Sequence, residues 1–291
     1  MSKRTCRAAL AAFSALFVAT LPALAQERTV PRGFGPGLPS EELAALPQTP
    51  GAKGDQQRHY YFKEAKQEMP YRLYVPKTYD PSKPIPLVVA LHGYSGNQDY
   101  FFALTDDLPG LLETHGFILV APMGYNTGSW YGGGGPATRG DNPQNTSEIY
   151  PDGSKLSVTE LGEKDVMNVI ELVRREYNID PHRTFLMGHS MGGAGTWYIG
   201  QKYPEMWKAI APMSGTGRFS TVNAKVMAKI PVIVSVGGEE TGQLAPSKEA
   251  VADINAAGGE AVYFEVPDAG HVPMIRGAAP EIISFFAKYA K

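Results

Sequence analysis

Short apolar runs alternate with longer amphipathic stretches over most of this 291-residue chain. Ile85–Leu91 reads IPLVVAL, a nearly continuous apolar run that is typical of a strand buried on both faces of a parallel sheet. Five further runs share this character, at 117–121, 184–188, 209–213, 232–236 and 261–266. Because parallel strands need crossover connections, the alternation predicts an α/β fold with a single doubly wound, mostly parallel sheet and helices on both faces.

Helical periodicity is clearest at 161–177, where apolar residues from Val166 to Val173 recur at the three- and four-residue spacing of one helix face. Three further helices are predicted, at 192–202, 246–257 and 280–289. Before the first buried run, segments 58–66 and 71–75 are rich in Tyr and Phe, and they are predicted to open the sheet as an antiparallel pair. Residues 58–291 are therefore predicted to form one domain.

The N-terminus has the pattern of an export signal. Three basic residues precede an apolar stretch at 8–21, and Ala23-Leu24-Ala25 offers the small residues after which a signal peptidase cuts. The apolar stretch is shorter than the about 20 residues that span a bilayer. Residues 1–25 are therefore predicted to be a signal peptide rather than a membrane anchor, and the mature chain is predicted to be secreted or periplasmic. Residues 26–57 carry five prolines and five glycines and are predicted to be an extended leader.

Charge and cysteine content exclude several classes of protein. The chain has 27 basic and 29 acidic side chains, so there is no basic surplus to attract a nucleic acid. The one cysteine, Cys6, lies inside the predicted signal peptide. Disulfide scaffolds, thiolate zinc sites and iron–sulfur clusters are therefore not expected, and no bilayer partner is expected once the signal peptide is removed.

The sequence Gly188-His189-Ser190-Met191-Gly192 carries the clearest chemical motif. It is a G-x-S-x-G pattern that lies between a predicted strand and a helix rich in small residues. A sharp turn at this junction exposes the central serine above the edge of the sheet, and the following helix N-terminus favours negative charge there. Ser190 is therefore predicted to be a nucleophile, while His189 is expected to pack beside the turn.

A serine nucleophile needs a base and an acid that orients the base. His271 lies in a short loop between the last predicted strand and the last helix, where such a sheet collects its chemistry, and it is the predicted base. The acid is expected on the loop after the strand at 232–236, which offers Glu239 and Glu240 but no aspartate. Glu240 is the favoured candidate, Glu239 is the first alternative, and Asp268 is interpreted as a turn former.

The oxyanion of an acyl-transfer reaction needs preorganised N–H donors. Met191 directly follows the nucleophile, so its main-chain N–H is one predicted donor. The loop after the strand that ends at Leu91 begins His92-Gly93-Tyr94, and Tyr94 is predicted to supply the second N–H. His92 is interpreted as a support beneath this loop rather than as a second base.

From about residue 60 onward, the chain resembles the α/β-hydrolase superfamily, and most of all the secreted esterases that include feruloyl esterases, acetyl xylan esterases and polyhydroxybutyrate depolymerases. Three segments carry the resemblance: LHGYSGN at 91–97, YNIDPHRTFLMGHSMGGAGTW at 177–197 and PDAGH at 267–271. It implies that 58–291 is an α/β-hydrolase catalytic domain with serine chemistry on esters and no cofactor. The sequence departs from the family pattern at Glu239-Glu240, where an aspartate is usual.

The long insertion at 124–160 is a candidate wall of the substrate site. Trp130 within it is predicted to offer an aromatic face to substrate, with packing of the loop onto the domain as the alternative. No metal or cofactor site is predicted from the residues.

Three functions remain open. The first is a secreted serine carboxylic-ester hydrolase that acts through an acyl-enzyme on a small or polymeric aryl, acetyl-sugar or hydroxyalkanoate ester. The others are a serine peptidase of the same fold and a non-catalytic binding protein that kept the fold. The sequence does not indicate an oligomeric state.

Overall fold

The computed structural model describes residues 50–133, 148–149, 155–217 and 220–291. The predicted signal peptide, the leader up to residue 49 and about half of the predicted insertion, at 134–147 and 150–154, lie outside these described residues. The strands are β1 (Gly54–Phe62), β2 (Gln67–Val75), β3 (Ile85–Leu91), β4 (Ile118–Pro122), β5 (Glu148–Ile149), β6 (Lys155–Leu156), β7 (Ile179–His189), β8 (Ala209–Met213), β9 (Val232–Gly237) and β10 (Ala261–Val266). The helices are α1 (Tyr100–Leu104), α2 (Leu108–His115), α3 (Val158–Glu176), α4 (Met191–Lys202), α5 (Ala224–Met227), α6 (Thr241–Ala256) and α7 (Met274–Tyr289).

Eight strands form one sheet in the order β1-β2-β4-β3-β7-β8-β9-β10. The pairs β1–β2 and β2–β4 are antiparallel, and every other pair of neighbours is parallel. Strands β5 and β6 form a separate antiparallel pair. The predicted fold class is confirmed: this is a mostly parallel α/β sheet with the strand order of an α/β-hydrolase.

Alternate residues of each buried strand face two helical layers. On β3, Leu87, Val89 and Leu91 pack in the core beneath α3, α4 and α6. Val88 and Ala90 face the opposite core, which α1, α2 and α7 cover. A strand that is apolar on both faces is thus explained by burial from two sides. Within the described part of the chain, no helix is both long enough and apolar enough to cross a bilayer.

The register of the parallel strands brings their carboxyl ends to one edge of the sheet. Leu91 of β3 lies opposite Gly188 of β7, and His189 of β7 lies opposite Met213 of β8. The last residues of β9 and β10 are also paired with each other. The loops that follow these strands therefore meet, and they are the loops on which the site residues are predicted.

Several predicted bounds need correction. β1 begins at Gly54, so the predicted boundary between leader and domain at residue 57 falls inside this strand. Residues 55–57 are polar because β1 is an edge strand with an exposed face, and they carry no apolar pattern. The helices α6 and α7 begin five and six residues before their predicted starts at Pro246 and Pro280, which lie inside the helices. Proline is over-represented at the first position of a helix, whereas here each proline lies inside the helix, beyond its first turn.

Candidate active site

Ser190 occupies the sharp turn between β7 and α4 with φ 57° and ψ −113°, a conformation that costs a non-glycine residue about 1–3 kcal/mol. Its main-chain N–H donates to the carbonyl oxygen of Met213 at 2.8 Å. The two motif glycines permit the turn. A Cβ on Gly188 would overlap the backbone of Gly192, and a Cβ on Gly192 would overlap the backbone of Leu91. The motif is therefore explained by close packing of three backbone segments around the serine.

His271 lies beside Ser190, on the loop between β10 and α7. Its Nε2 atom is 2.8 Å from Ser190 Oγ, and its Nδ1 atom is hydrogen-bonded to Glu240 Oε1. A carboxylate can only accept, so Nδ1 carries the hydrogen and Nε2 is left to accept from the serine hydroxyl. The structure thus brings together the predicted nucleophile, base and acid in one chain of hydrogen bonds.

Glu240 immediately precedes α6, and its side chain folds back toward the end of β9. The oxygen that does not face His271, Oε2, accepts from the main-chain N–H of Gly237 at 2.9 Å and from Ser214 Oγ at 2.5 Å. Partial burial of Glu240 pushes its pKa upward, but the hydrogen bonds from His271, Ser214 and Gly237 outweigh burial and leave the pKa of the carboxyl below its usual value. The carboxylate is therefore held in its charged form.

The two alternative acids do not take this position. The Glu239 side chain is exposed to solvent, and its main-chain N–H donates to the carbonyl of Ala269. Asp268 adopts a positive φ of 52°, which places it in the tight turn after β10. Of the three candidate carboxylates, Glu240 is the one hydrogen-bonded to His271.

The two predicted oxyanion donors lie in the segments that follow β7 and β3, two strands that are paired in the sheet. Met191 is the first residue of α4, so its main-chain N–H has no carbonyl partner within the helix and is available to a ligand. Tyr94 lies in the loop after β3, where its neighbour Ser95 donates to the carbonyl of Thr127 at 2.8 Å. His92 is buried beneath that loop, with Nε2 2.7 Å from the carbonyl oxygen of Met123 and Nδ1 2.8 Å from that of Gly93. It therefore lies where a support for the loop was expected.

Trp130 is not placed as a substrate-facing residue. Only 6% of its surface is exposed, and it belongs to the core between the sheet and the α3–α4 layer. The alternative interpretation, that it packs the loop onto the domain, fits this burial better. The neighbouring Tyr131 is the residue that reaches the site loops, because its hydroxyl donates to the carbonyl of His92 at 3.2 Å.

Two side chains support the loop of His271. Sequence reasoning did not identify Tyr100, and it predicted only a packing role for His189. His189 is fully buried, and its Nε2–H donates to the carbonyl of His271 at 2.7 Å. Its Nδ1 accepts from the hydroxyl of Tyr100 at 2.8 Å. Burial and the nearby His271 lower the pKa of His189 to about 3, so the ring stays neutral. Tyr100 carries no motif, and its position just after the Tyr94 loop is the only signal that could have found it.

The centre of the site is open to solvent. The His271 side chain is 45% exposed, and two of the four strongly exposed large apolar residues in the described ranges lie on loops of the site: Tyr94 at 52%, in the loop after β3, and Val272 at 41%, directly after His271. The other two, Tyr61 and Val262, lie on β1 and β10. No group of three or more histidine, cysteine or carboxylate side chains among the described residues is arranged to hold a metal ion.

The sequence and the fold match known esterases. The model of the Esterase family matches residues 63–252. Feruloyl esterase B of Neurospora crassa is 30% identical over 44% of this chain and 38% of its own length. A bifunctional acetylxylan esterase/xylanase of Neocallimastix patriciarum is 27% identical over 55% of this chain and 20% of its own length. The matched segments thus span well under half of these curated relatives.

A solved structure agrees with this match. The structure of a thermostable esterase is 25% identical to this chain and superposes with a TM-score of 0.58. The superposition covers 81% of this chain and 63% of the other.

Proposed function

Because the chain belongs to the Esterase family, we propose that it is a serine hydrolase that cleaves carboxylic esters through an acyl-enzyme. The observation that carries this proposal is the continuous chain of hydrogen bonds from Ser190 through His271 to Glu240. A binding protein that merely kept the fold has no need for these three groups in this geometry. The open centre of the site also lets water reach the acyl group.

The chemistry follows from the geometry of the three side chains. Ser190 Oγ attacks the carbonyl carbon of the ester while His271 Nε2 takes the hydroxyl proton. Glu240 keeps the hydrogen on Nδ1 and stabilises the imidazolium that forms. The N–H groups of Met191 and Tyr94 are the proposed donors to the oxyanion. The intermediate collapses with loss of the alcohol, which receives the proton from His271.

Deacylation repeats the same steps with water in place of serine. His271 Nε2 takes a proton from water, the resulting hydroxide attacks the acyl carbon, and the carboxylic acid leaves as Ser190 regains its proton. The net reaction is ester plus water to acid plus alcohol.

An ester with an apolar or aromatic group on a bulky or polymeric carrier is the proposed substrate class. Tyr94 and Val272 offer apolar surface next to the candidate oxyanion donor and the candidate base. The exposure of His271 leaves room for a carrier that extends beyond the protein surface. Feruloyl and acetylxylan esterases among the relatives support an ester carried by a polysaccharide. Export through a signal peptide at 1–25 is part of this proposal, and N-terminal sequencing of the mature protein should begin at Gln26.

Replacement of Ser190 tests the mechanism. Ser190→Ala should abolish hydrolysis of 4-nitrophenyl acetate while the circular dichroism spectrum is unchanged, because only the nucleophile is lost. Ser82→Ala is the matched control, since Ser82 lies in an exposed turn before β3 at the opposite edge of the sheet. A folded Ser190→Ala protein with near-native turnover would contradict the serine mechanism. Hydrolysis of a peptide amide by the wild-type protein that is lost in Ser190→Ala would favour the peptidase alternative.

A further inference from the structure

Ser214 lies at the first position after β8 in a strained conformation. Its φ is +45°, a value that non-glycine residues rarely adopt, and its side chain is only 1% exposed. Strained residues of this kind persist where surrounding contacts fix them, and they concentrate at functional sites. Glycine would adopt this φ without the steric cost. The presence of a serine side chain here therefore calls for a role of the hydroxyl.

The backbone on both sides of Ser214 is tightly held. Its N–H donates to the carbonyl of Ser235 on β9 at 2.9 Å, and the preceding carbonyl, that of Met213, accepts the N–H of Ser190 at 2.8 Å. A Cβ on Gly215 would overlap the backbone of Gly193 in α4. The end of β8 is thus wedged between the serine turn and β9, and the direction of the Ser214 side chain is fixed by its backbone.

This fixed side chain points at the candidate acid. Ser214 Oγ donates to Glu240 Oε2 at 2.5 Å, while the other carboxylate oxygen faces His271. Met213 and Ser214 therefore touch both ends of the candidate triad, one through a carbonyl and the other through a hydroxyl.

We propose that Ser214 is a positioning residue that fixes the rotation of the Glu240 carboxylate so that Oε1 faces His271. This inference rests on the proposed serine mechanism. A glutamate has one more rotatable bond than the aspartate usual in related esterases, and its last torsion is broad rather than confined to staggered wells. The Ser214 hydroxyl and the Gly237 N–H together saturate Oε2, which leaves Oε1 for the imidazole.

Three variants distinguish the effect of the Ser214 hydroxyl on catalysis from the effects of backbone strain and of removing any buried hydroxyl. Ser214→Ala removes the hydroxyl but keeps a Cβ at positive φ, whereas Ser214→Gly removes the hydroxyl and relieves the strain. Ser235→Ala is the matched control. Ser235 is fully buried on the adjacent strand, and its hydroxyl has no hydrogen-bond partner in the described part of the chain.

The measurement is the pH profile of kcat and KM on 4-nitrophenyl acetate. Both Ser214 variants should lower kcat at least tenfold with KM changed less than twofold, because Glu240 does not contact the ester. The acidic limb of the kcat profile should also move to lower pH, since a carboxylate that has rotated away from Nδ1 stabilises the imidazolium of His271 less. Ser235→Ala should leave both kcat and the limb unchanged.

Two results would overturn the role proposed for Ser214. Wild-type kcat and an unshifted acidic limb in Ser214→Gly would overturn the proposal, even if Ser214→Ala were impaired, because strain alone would then explain the loss. An equal shift in Ser235→Ala would overturn it as well, since burial of any serine would then suffice. Should Ser214→Ala fail to fold, Ser214→Gly still carries the test. Absence of ester hydrolysis in the wild-type protein would instead contradict the proposed function.

Discussion

The imidazole of His189 donates its Nε2–H to the main-chain carbonyl of His271 at 2.7 Å, so the residue before the candidate nucleophile anchors the loop of the candidate base. The two rings lie 4.6 Å apart. Tyr100 completes this contact from the other side, because its hydroxyl donates to Nδ1 and its ring stacks on His189. Burial and the nearness of His271 keep the pKa of His189 at about 3, which prevents a second positive charge beside the imidazolium.

Replacement of His189 should distinguish the contribution of its hydrogen bond to the His271 carbonyl from the contribution of its packing. His189→Leu leaves the His271 carbonyl without its donor, and we expect kcat to fall about tenfold, the cost of one lost buried hydrogen bond. His189→Gln keeps an N–H donor of similar reach and should retain more activity. The measurement is kcat on 4-nitrophenyl acetate together with the melting temperature. His182→Gln, an exposed histidine early in β7, is the control. Equal losses for leucine and glutamine would show that packing alone matters.

The two adjacent glutamates should behave differently. Glu240→Gln keeps the side-chain shape but removes the charge that holds the hydrogen on Nδ1 of His271, so kcat should fall by orders of magnitude while KM changes little. Glu239→Gln is the matched control, since its side chain faces solvent and it should cost little. Steady-state kinetics on one ester decide this. Reversed results would assign the acid to Glu239, and no effect from either would exclude this loop.

The apolar border of the site should select the acyl group. Tyr94→Ala and Val272→Ala should lower kcat/KM for 4-nitrophenyl benzoate several-fold more than for 4-nitrophenyl acetate, because only the larger acyl group covers these side chains. The chain supplies a matched control for each. Tyr61→Ala and Val262→Ala replace the same residue types at 51% and 43% exposure, on strands β1 and β10. Equal changes for both esters would exclude a role in acyl selection.

The sequence could predict the fold because its strongest pattern reports burial. The bounds of β3, β8 and β10 agree with the predicted ones. β3 and β8 lie inside the sheet and are buried, whereas β10 is an edge strand that is only partly buried. The sequence did not predict the polar first residues of β1 or the short helix α2. The helix α2 depends on local capping, since Asp107 accepts from the N–H of Gly110 at 2.9 Å and a proline occupies its first turn.

The sequence could predict those residues of the candidate site that lie in a motif or in the loop after a predicted strand. Ser190 lies in the G-x-S-x-G pattern, and Glu240 and His271 lie in the loops that follow β9 and β10; the structure brings the three together. Ser214 also follows a predicted strand, but a single serine carries no motif and its positive φ depends on tertiary packing. The sequence alone could not decide between the two interpretations of Trp130, because an aromatic residue in a long insertion has the same pattern whether it is buried or exposed.

Asp165 should make stability depend on pH in an unusual direction. It is fully buried in α3, where its oxygens accept from the Tyr60 hydroxyl at 2.6 Å and from the N–H groups of Gly124 and Tyr125 at 2.6 and 3.2 Å. Burial raises the pKa of Asp165 from 3.8 to about 6, although these hydrogen bonds oppose the rise. The folded protein therefore binds more protons than the unfolded chain between these values, and stability falls as pH rises through this window.

Asp165→Asn removes this titration while keeping an oxygen for the two N–H groups. A pKa change from 3.8 to about 6 corresponds to about 3 kcal/mol. The free energy of unfolding of the wild-type protein, measured against that of Asp165→Asn by urea denaturation, should therefore drop by roughly 2 to 3 kcal/mol from pH 4 to pH 7. Asp253→Asn in the exposed face of α6 is the control and should show no such trend. A difference between wild type and Asp165→Asn that stays constant over this range would contradict the prediction, because the buried carboxyl would then have an ordinary pKa.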